Sequence, residues 1–244
     1  MADAPLVGVA YYARRGGRWA ERYTLLHPPY TAWHLAYAVI GAAVAPRIDV
    51  VRLLGTVIVL LLAVGVAAHA LDELAGRPLG TTLPDAELIA AAAVALICAG
   101  ITVIVLLPSV GLALLPLGVA GLVLLLGYNL ELAGGRLHTG WGFALGWGAY
   151  PVVAGYVAQT GGISVVVLLA AGAAVAASLA QRALSTPARL LRRRARGIDC
   201  RVTLDSGHLE LSLRDLLRPL ERALRALSWA VCLLAAAIVV SHWV

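Results

Sequence analysis

The stretch Leu88–Asn129, LIAAAAVALICAGITVIVLLPSVGLALLPLGVAGLVLLLGYN, decides the fold. It carries no charged side chain and is broken only by Leu107-Pro108-Ser109. An apolar helix needs roughly 20 residues to cross a bilayer. The stretch is long enough to cross twice, with a tight turn at Pro108. A soluble domain of this length could not bury so much apolar surface. The chain therefore reads as an integral membrane protein, and its chemistry is to be sought among the few polar residues near helix ends.

Working outward, the same pattern fills most of the chain. Of 244 residues, 61% are hydrophobic and only 13% charged, which describes one polytopic membrane domain rather than a soluble domain with an anchor. The 25 glycines and many alanines suit close helix packing in lipid. The expected fold is all-α, a bundle of about seven spans near 31–46, 50–71, 86–107, 111–129, 141–159, 162–182 and 223–243. Residues 1–30 form an N-terminal segment, 31–183 a six-helix bundle, 184–222 a basic loop, and 223–244 the last span. The N-terminal segment has neither an apolar core nor a cleavage signal, so no removable signal peptide is expected.

All 19 basic residues are arginine, a usage that reads as the coding bias of a GC-rich prokaryote. It excludes lysine chemistry. Arg14, Arg15, Arg18, Arg22, Arg77, Arg136 and the run from Arg182 to Arg225 fall in one set of alternate loops. The other set holds only Arg47 and Arg52, beside Asp49. The positive-inside rule then places a multi-pass chain in the cell membrane with its N-terminus cytoplasmic and its C-terminus extracytoplasmic. The cluster Arg192-Arg193-Arg194-Ala195-Arg196 reads as a topology anchor, or as an attractor of anionic lipid headgroups.

In the basic loop, Cys200, Val202 and Leu204 alternate on one face. A turn signal follows at Asp205-Ser206-Gly207, and then a run with Leu209, Leu211 and Leu213. This predicts a small cytoplasmic β-hairpin. An amphipathic helix follows from Ser212 or Asp215. Cys98, Cys200 and Cys232 form no framework and are expected as free thiols.

Polar residues gather at two helix ends on the cytoplasmic side. The second span ends with His69, Asp72 and Glu73, at i, i+3 and i+4, followed by Arg77 and Asp85. The fourth ends with Tyr128, Asn129 and Glu131, followed by Arg136 and His138. A carboxylate pair can hold a hard cation, and arginines can fork onto phosphate. Alternatively, Arg77 pairs with Asp72 or Glu73 and Arg136 with Glu131, as structural partners. His34 lies inside the first span, where a histidine is more often bonded between helices than a ligand.

Three segments together resemble the UbiA superfamily of intramembrane prenyltransferases. They are His27-Pro28-Pro29-Tyr30-Thr31-Ala32-Trp33, the acidic end of the second span with Gly76-Arg77-Pro78-Leu79, and Tyr128 through Gly155 with Arg136, Gly142, Gly146 and Gly148. The resemblance covers roughly residues 25–185. It implies a helical bundle around a lipid-accessible cavity open to the cytoplasm. There a prenyl diphosphate binds through Mg²⁺, ionises, and passes its prenyl group to a lipid or aromatic acceptor. By this resemblance Asp72 and Glu73 are catalytic metal ligands, with Asp85 standing in for a later acid of the motif. Arg77, Tyr128, Arg136, Asn129 and His69 face the substrate. The chain departs from the family at His69-Ala70, where the family has Asn-Asp. It has no acid after the sixth span, and it has about seven helices rather than nine. Two other functions fit the residues: a non-catalytic lipid-binding or assembly protein of this fold, and a metal-dependent enzyme or transporter built on His34, His69, Asp72, Glu131 and His138.

Overall fold

The computed structural model describes residues 12–14 and 16–244; the first eleven residues of the expected N-terminal segment, and Arg15 of the arginine set, lie outside it. The described chain is mostly helical, with one small antiparallel hairpin. Four helices are long and apolar enough to cross a membrane: Val50–Leu74, Asp85–Val110, Val165–Arg194 and Leu213–Val240. Leu114–Asn129 is a shorter apolar helix.

Helix α1 (Gly17–Leu25) is short, and its Leu25 packs into a core cluster with Ala67, Ala70 and Leu88. Helix α2 (Pro28–Ala43) opens on Pro28, whose fixed φ and missing N–H suit a first helical turn. Helix α3 (Val50–Leu74) is capped by the Asp49 carboxylate and widens into π-helix over Leu61–Ala68. Helix α4 (Asp85–Val110) runs through Pro108, so the turn expected at Leu107–Ser109 falls instead at residues 111–113. Helix α5 (Leu114–Asn129) is followed by a tight loop with left-handed backbone at Glu131 and Ala133. Helix α6 (140–160) contains a second π segment, Ala144–Ala149.

Helix α7 (Val165–Arg194) extends three turns past the expected end at residue 182. Pro187 removes one backbone donor there without ending the helix, and arginine is a good helix former. Strands β1 (Arg201–Leu204) and β2 (Gly207–Glu210) pair antiparallel, as the alternation predicts. Helix α8 (Leu213–Val240) starts at a Ser212/Asp215 capping box and joins the amphipathic segment and the last apolar segment into one rod. The basic loop expected over 184–222 therefore shrinks to residues 195–212.

Close approach is built on glycine. A Cβ on Gly41 would sit 1.9 Å from the Val152 carbonyl oxygen, and one on Gly155 would sit 2.0 Å from that of Ala38. These two glycines let α2 and α6 touch backbone to backbone, in the manner of small-residue membrane interfaces. Trp33, Tyr37, Val152 and Val167 fill the core where α2, α6 and α7 meet. At one end of the bundle, Arg52 donates to the carbonyls of Gln159 and Ser109, and His242 Nε2 meets the Ala43 carbonyl. The other end opens into a cavity.

Candidate functional site

The cavity holds about 230 Å³ between the ends of α2, α3, α5, α6 and α7. Its histidines come from different elements. His27 precedes α2 in left-handed backbone (φ 44°) and stacks on His69 of α3 with ring centroids 4.4 Å apart. A non-glycine residue in this region is strained and persists only where its surroundings hold it. Tyr12 shares a hydrogen bond with His27 Nδ1. Burial first, then His69 and the Arg193 and Arg189 guanidiniums, hold His27 well below the ordinary imidazole range, so it is neutral at pH 7.

His34 shows how the sequence places a side chain. Its Nδ1 lies 2.8 Å from the Trp147 carbonyl. In an α-helix that carbonyl would accept from the N–H of residue 151, but Pro151 has none. The π segment and the proline together leave the oxygen to His34. His69 Nδ1 meets the Gly65 carbonyl at 3.2 Å, again inside a π segment, and His138 Nδ1 meets the Tyr128 carbonyl at 3.1 Å. A carbonyl can only accept, so these three rings carry their proton on Nδ1. No side chain or backbone group among the described residues bonds the Nε2 of His34 or His69. π-helical turns recur at functional sites, and here both flank the cavity.

Helix α7 supplies the cations. Arg182, Ser185, Arg189 and Arg193 lie three to four residues apart, or a multiple of it, on one face of the helix and line the cavity. Arg182 Nη1 donates to the Tyr128 hydroxyl at 2.9 Å, and its guanidinium lies 5.6 Å from the Phe143 ring. Arg189 and Arg193 stand more exposed at the edge. Arg192 is different: it is buried and paired with Glu221 of α8 at 3.0 Å. Tyr128 also stacks with His138 and packs against Trp147 and Phe143, making an aromatic wall.

A second cavity holds about 370 Å³. It lies among α3, α4, α5 and α6 and is lined almost wholly by aliphatic side chains such as Val64, Leu96, Val103 and Leu125. Trp147 lines both cavities. Together they reach the size of ordinary small-molecule sites.

The residues expected at the site divide into two groups. His69, Asp72, Tyr128 and Asn129 line the polar cavity, with His138 beside them. Glu73, Arg77, Asp85 and Arg136 do not. Asp72 and Glu73 are sequence neighbours, about 100° apart around the helix, so they face different surroundings. Glu73 is fully buried and accepts from the Leu79 N–H, the Thr81 N–H and the Thr81 hydroxyl, all within 2.9 Å. Arg77 pairs with Asp85 and donates to the Leu83 carbonyl at 2.6 Å. These three residues fold the α3–α4 loop on itself. Arg136 is exposed and outside the cavity. Glu131 is exposed too, 3.8 Å from His138.

The Mg²⁺ implied by the resemblance does not fit this donor set. Mg²⁺ is bound by carboxylates, phosphates and waters in near-octahedral array. Among the described residues Asp72 is the one carboxylate of the cavity lining, and no three His, Cys, Asp or Glu side chains gather so as to hold a metal ion. The sequence places Arg189 and Arg193 in a basic loop from residue 184, whereas the structure carries them on α7. The spacing at 182, 185, 189 and 193 is the signal that could have found them. Compared with protein-family models, curated proteins and solved structures, the chain matches none.

Proposed function

We propose that the chain is a UbiA-like membrane protein that seats a prenyl diphosphate in the two cavities and transfers the prenyl group to a lipid or aromatic acceptor. One observation carries this reading: an arginine-bearing cavity and an aliphatic cavity share Trp147 as a lining residue. That arrangement complements an amphiphile with an anionic head and an apolar chain.

The residues suit the chemistry. When the allylic C–O bond breaks, the electron pair leaves with the diphosphate, next to Arg182, Arg189 and Arg193. The allylic cation is left facing Tyr128, Phe143 and Trp147, whose ring faces attract positive charge. The acceptor attacks the cation, and its proton passes to an unprotonated Nε2, of His34 or His69. Read as seven alternating crossings, α2 through α8 gather the arginine-rich segments on one side, and the polar cavity then opens to the cytoplasm. Labelling of a cysteine at position 136 from outside intact cells would contradict that orientation.

A second reading, a non-catalytic lipid-binding protein, is favoured by the single cavity carboxylate. The third, a histidine–carboxylate metal enzyme or transporter, has no convergent ligand set among the described residues. The test is mass spectrometry of lipid extracted from the purified protein, followed by incubation with farnesyl diphosphate. A retained isoprenoid or polyprenyl phosphate supports the cavity reading, and inorganic diphosphate released on incubation supports transfer over simple binding. Only bulk phospholipid, with no isoprenoid retained after farnesyl diphosphate is supplied, contradicts both.

A further inference from the structure

The cavity is unbalanced in charge. Arg189 and Arg193 stand at i and i+4 on α7, a spacing at which like charges repel on a helix. Neither has a carboxylate within ion-pair distance among the described residues, whereas their neighbour Arg192 is neutralised by Glu221. Arg182 is held by a neutral phenol. Against these three cations the described lining of the cavity sets one carboxylate, Asp72, which lies within electrostatic reach of Arg189 and Arg193. Among the histidines, His34, His69 and His138 each donate Nδ1–H to a backbone carbonyl, and His27 is held neutral. The acids that could carry a cation into the site are engaged elsewhere, Glu73 by the Leu79–Thr81 backbone and Asp85 by Arg77.

We infer that the α7 arginines alone carry the headgroup charge, so that the protein binds a phosphate-headed isoprenoid without any divalent cation. The inference rests on reading the two cavities as a seat for such a lipid, and it names how the head is held. A guanidinium fork matches phosphate oxygens in two parallel hydrogen bonds, and an anion bridging Arg182, Arg189 and Arg193 removes their mutual repulsion. The consequence for Asp72 is a change of sign. In a metal-bridged site a carboxylate recruits the substrate. In an arginine-held site it opposes the anion and tempers the cluster.

The experiment is equilibrium binding of farnesyl diphosphate to the purified full chain in detergent, followed by tryptophan fluorescence, in excess EDTA and again in millimolar Mg²⁺. Farnesol and inorganic diphosphate serve as chain-only and head-only controls. Binding is expected in EDTA, with affinity changed less than about threefold by Mg²⁺. Arg189→Gln and Arg193→Gln are each expected to weaken it by about tenfold, the loss of one charge-assisted contact. Arg189→Lys, which keeps the charge and loses the fork, falls between. Asp72→Asn is expected to bind as tightly as wild type or tighter. Thermal unfolding of each variant separates lost binding from lost folding. Wild-type binding that appears only with Mg²⁺ and vanishes in Asp72→Asn overturns the inference and leaves the lipid seat standing. No binding of farnesyl diphosphate under either condition overturns both.

Discussion

Arg77 and Arg189 stand at the same end of the bundle, and the difference between them separates scaffold from site. Arg77 is engaged on both sides: Asp85 on one, the Thr81 and Leu83 carbonyls on the other. With Glu73 it closes the α3–α4 loop. Arg189 projects from α7 beside another arginine, with no carboxylate partner among the described residues, onto a cavity. The same contrast holds between the neighbours Glu73 and Asp72. One is buried under three hydrogen bonds; the other lines the cavity one turn from His69. A polar residue whose valences are met inside its own loop holds the fold. One left facing a void, against its own electrostatic interest, is available to a ligand.

The largest expected effect lies on the closed side. Glu73→Ala strands the Leu79 and Thr81 N–H groups and should cost about 3 kcal/mol or more, since hydrogen bonds to a charged group contribute roughly 1.5–3 kcal/mol each. Thermal unfolding in detergent should show a large fall in Tm, while Asp72→Asn leaves Tm within error or raises it. Equal losses for the two variants would erase the distinction between loop and cavity.

Next comes the arginine exchange. Arg77→Gln should lower Tm by breaking the loop, with little change in farnesyl diphosphate affinity per folded molecule. The double variant Arg189→Gln/Arg193→Gln should do the reverse: Tm held or raised as repulsion is relieved, affinity down by about 100-fold if the two contacts add. Affinity that follows Arg77 instead would return the loop to the site.

The smallest effect is a pH dependence. His27 is neutral in the fold and its pKa is lowered by burial, His69, Arg193 and Arg189. Its contribution to stability is therefore fully present above the unfolded imidazole value of about 6.5 and is lost as pH falls below it, at up to about 1.4 kcal/mol per pH unit. Between pH 7 and 5.5 wild-type Tm should drop more than that of His27→Asn, a residue that tolerates the left-handed backbone. Parallel pH curves would mean that His27 is protonated without cost.

Much of this architecture was legible in the sequence, and the gaps have physical causes. Uncharged runs mark the bundle because nothing else can solvate them, and Asp205-Ser206-Gly207 marks the hairpin. His69, Asp72, Tyr128 and Asn129 were recognisable as polar residues at helix ends. The face chosen by Glu73 was not, because adjacent helical residues differ by a third of a turn and the α3–α4 loop decides which is buried. The sequence points to cations in loops, at Arg77 and Arg136, whereas those lining the cavity lie on a helix that continues through Pro187. The bond from His34 to the Trp147 carbonyl depends on Pro151, more than a hundred residues away, and only the folded contact of α2 with α6 connects them.

In the proposed seat, head and chain occupy two different cavities that share Trp147. The most direct measurement is photo-crosslinking with a farnesyl diphosphate analogue carrying a diazirine at the end of its chain, with peptides mapped by mass spectrometry. Adducts are expected on the residues facing the aliphatic cavity, such as Val64, Leu96, Val103 and Leu125, suppressed by excess farnesyl diphosphate and reduced in Arg189→Gln/Arg193→Gln. Adducts confined to the outer faces of α4 and α8, indifferent to competitor and to the arginines, would contradict it.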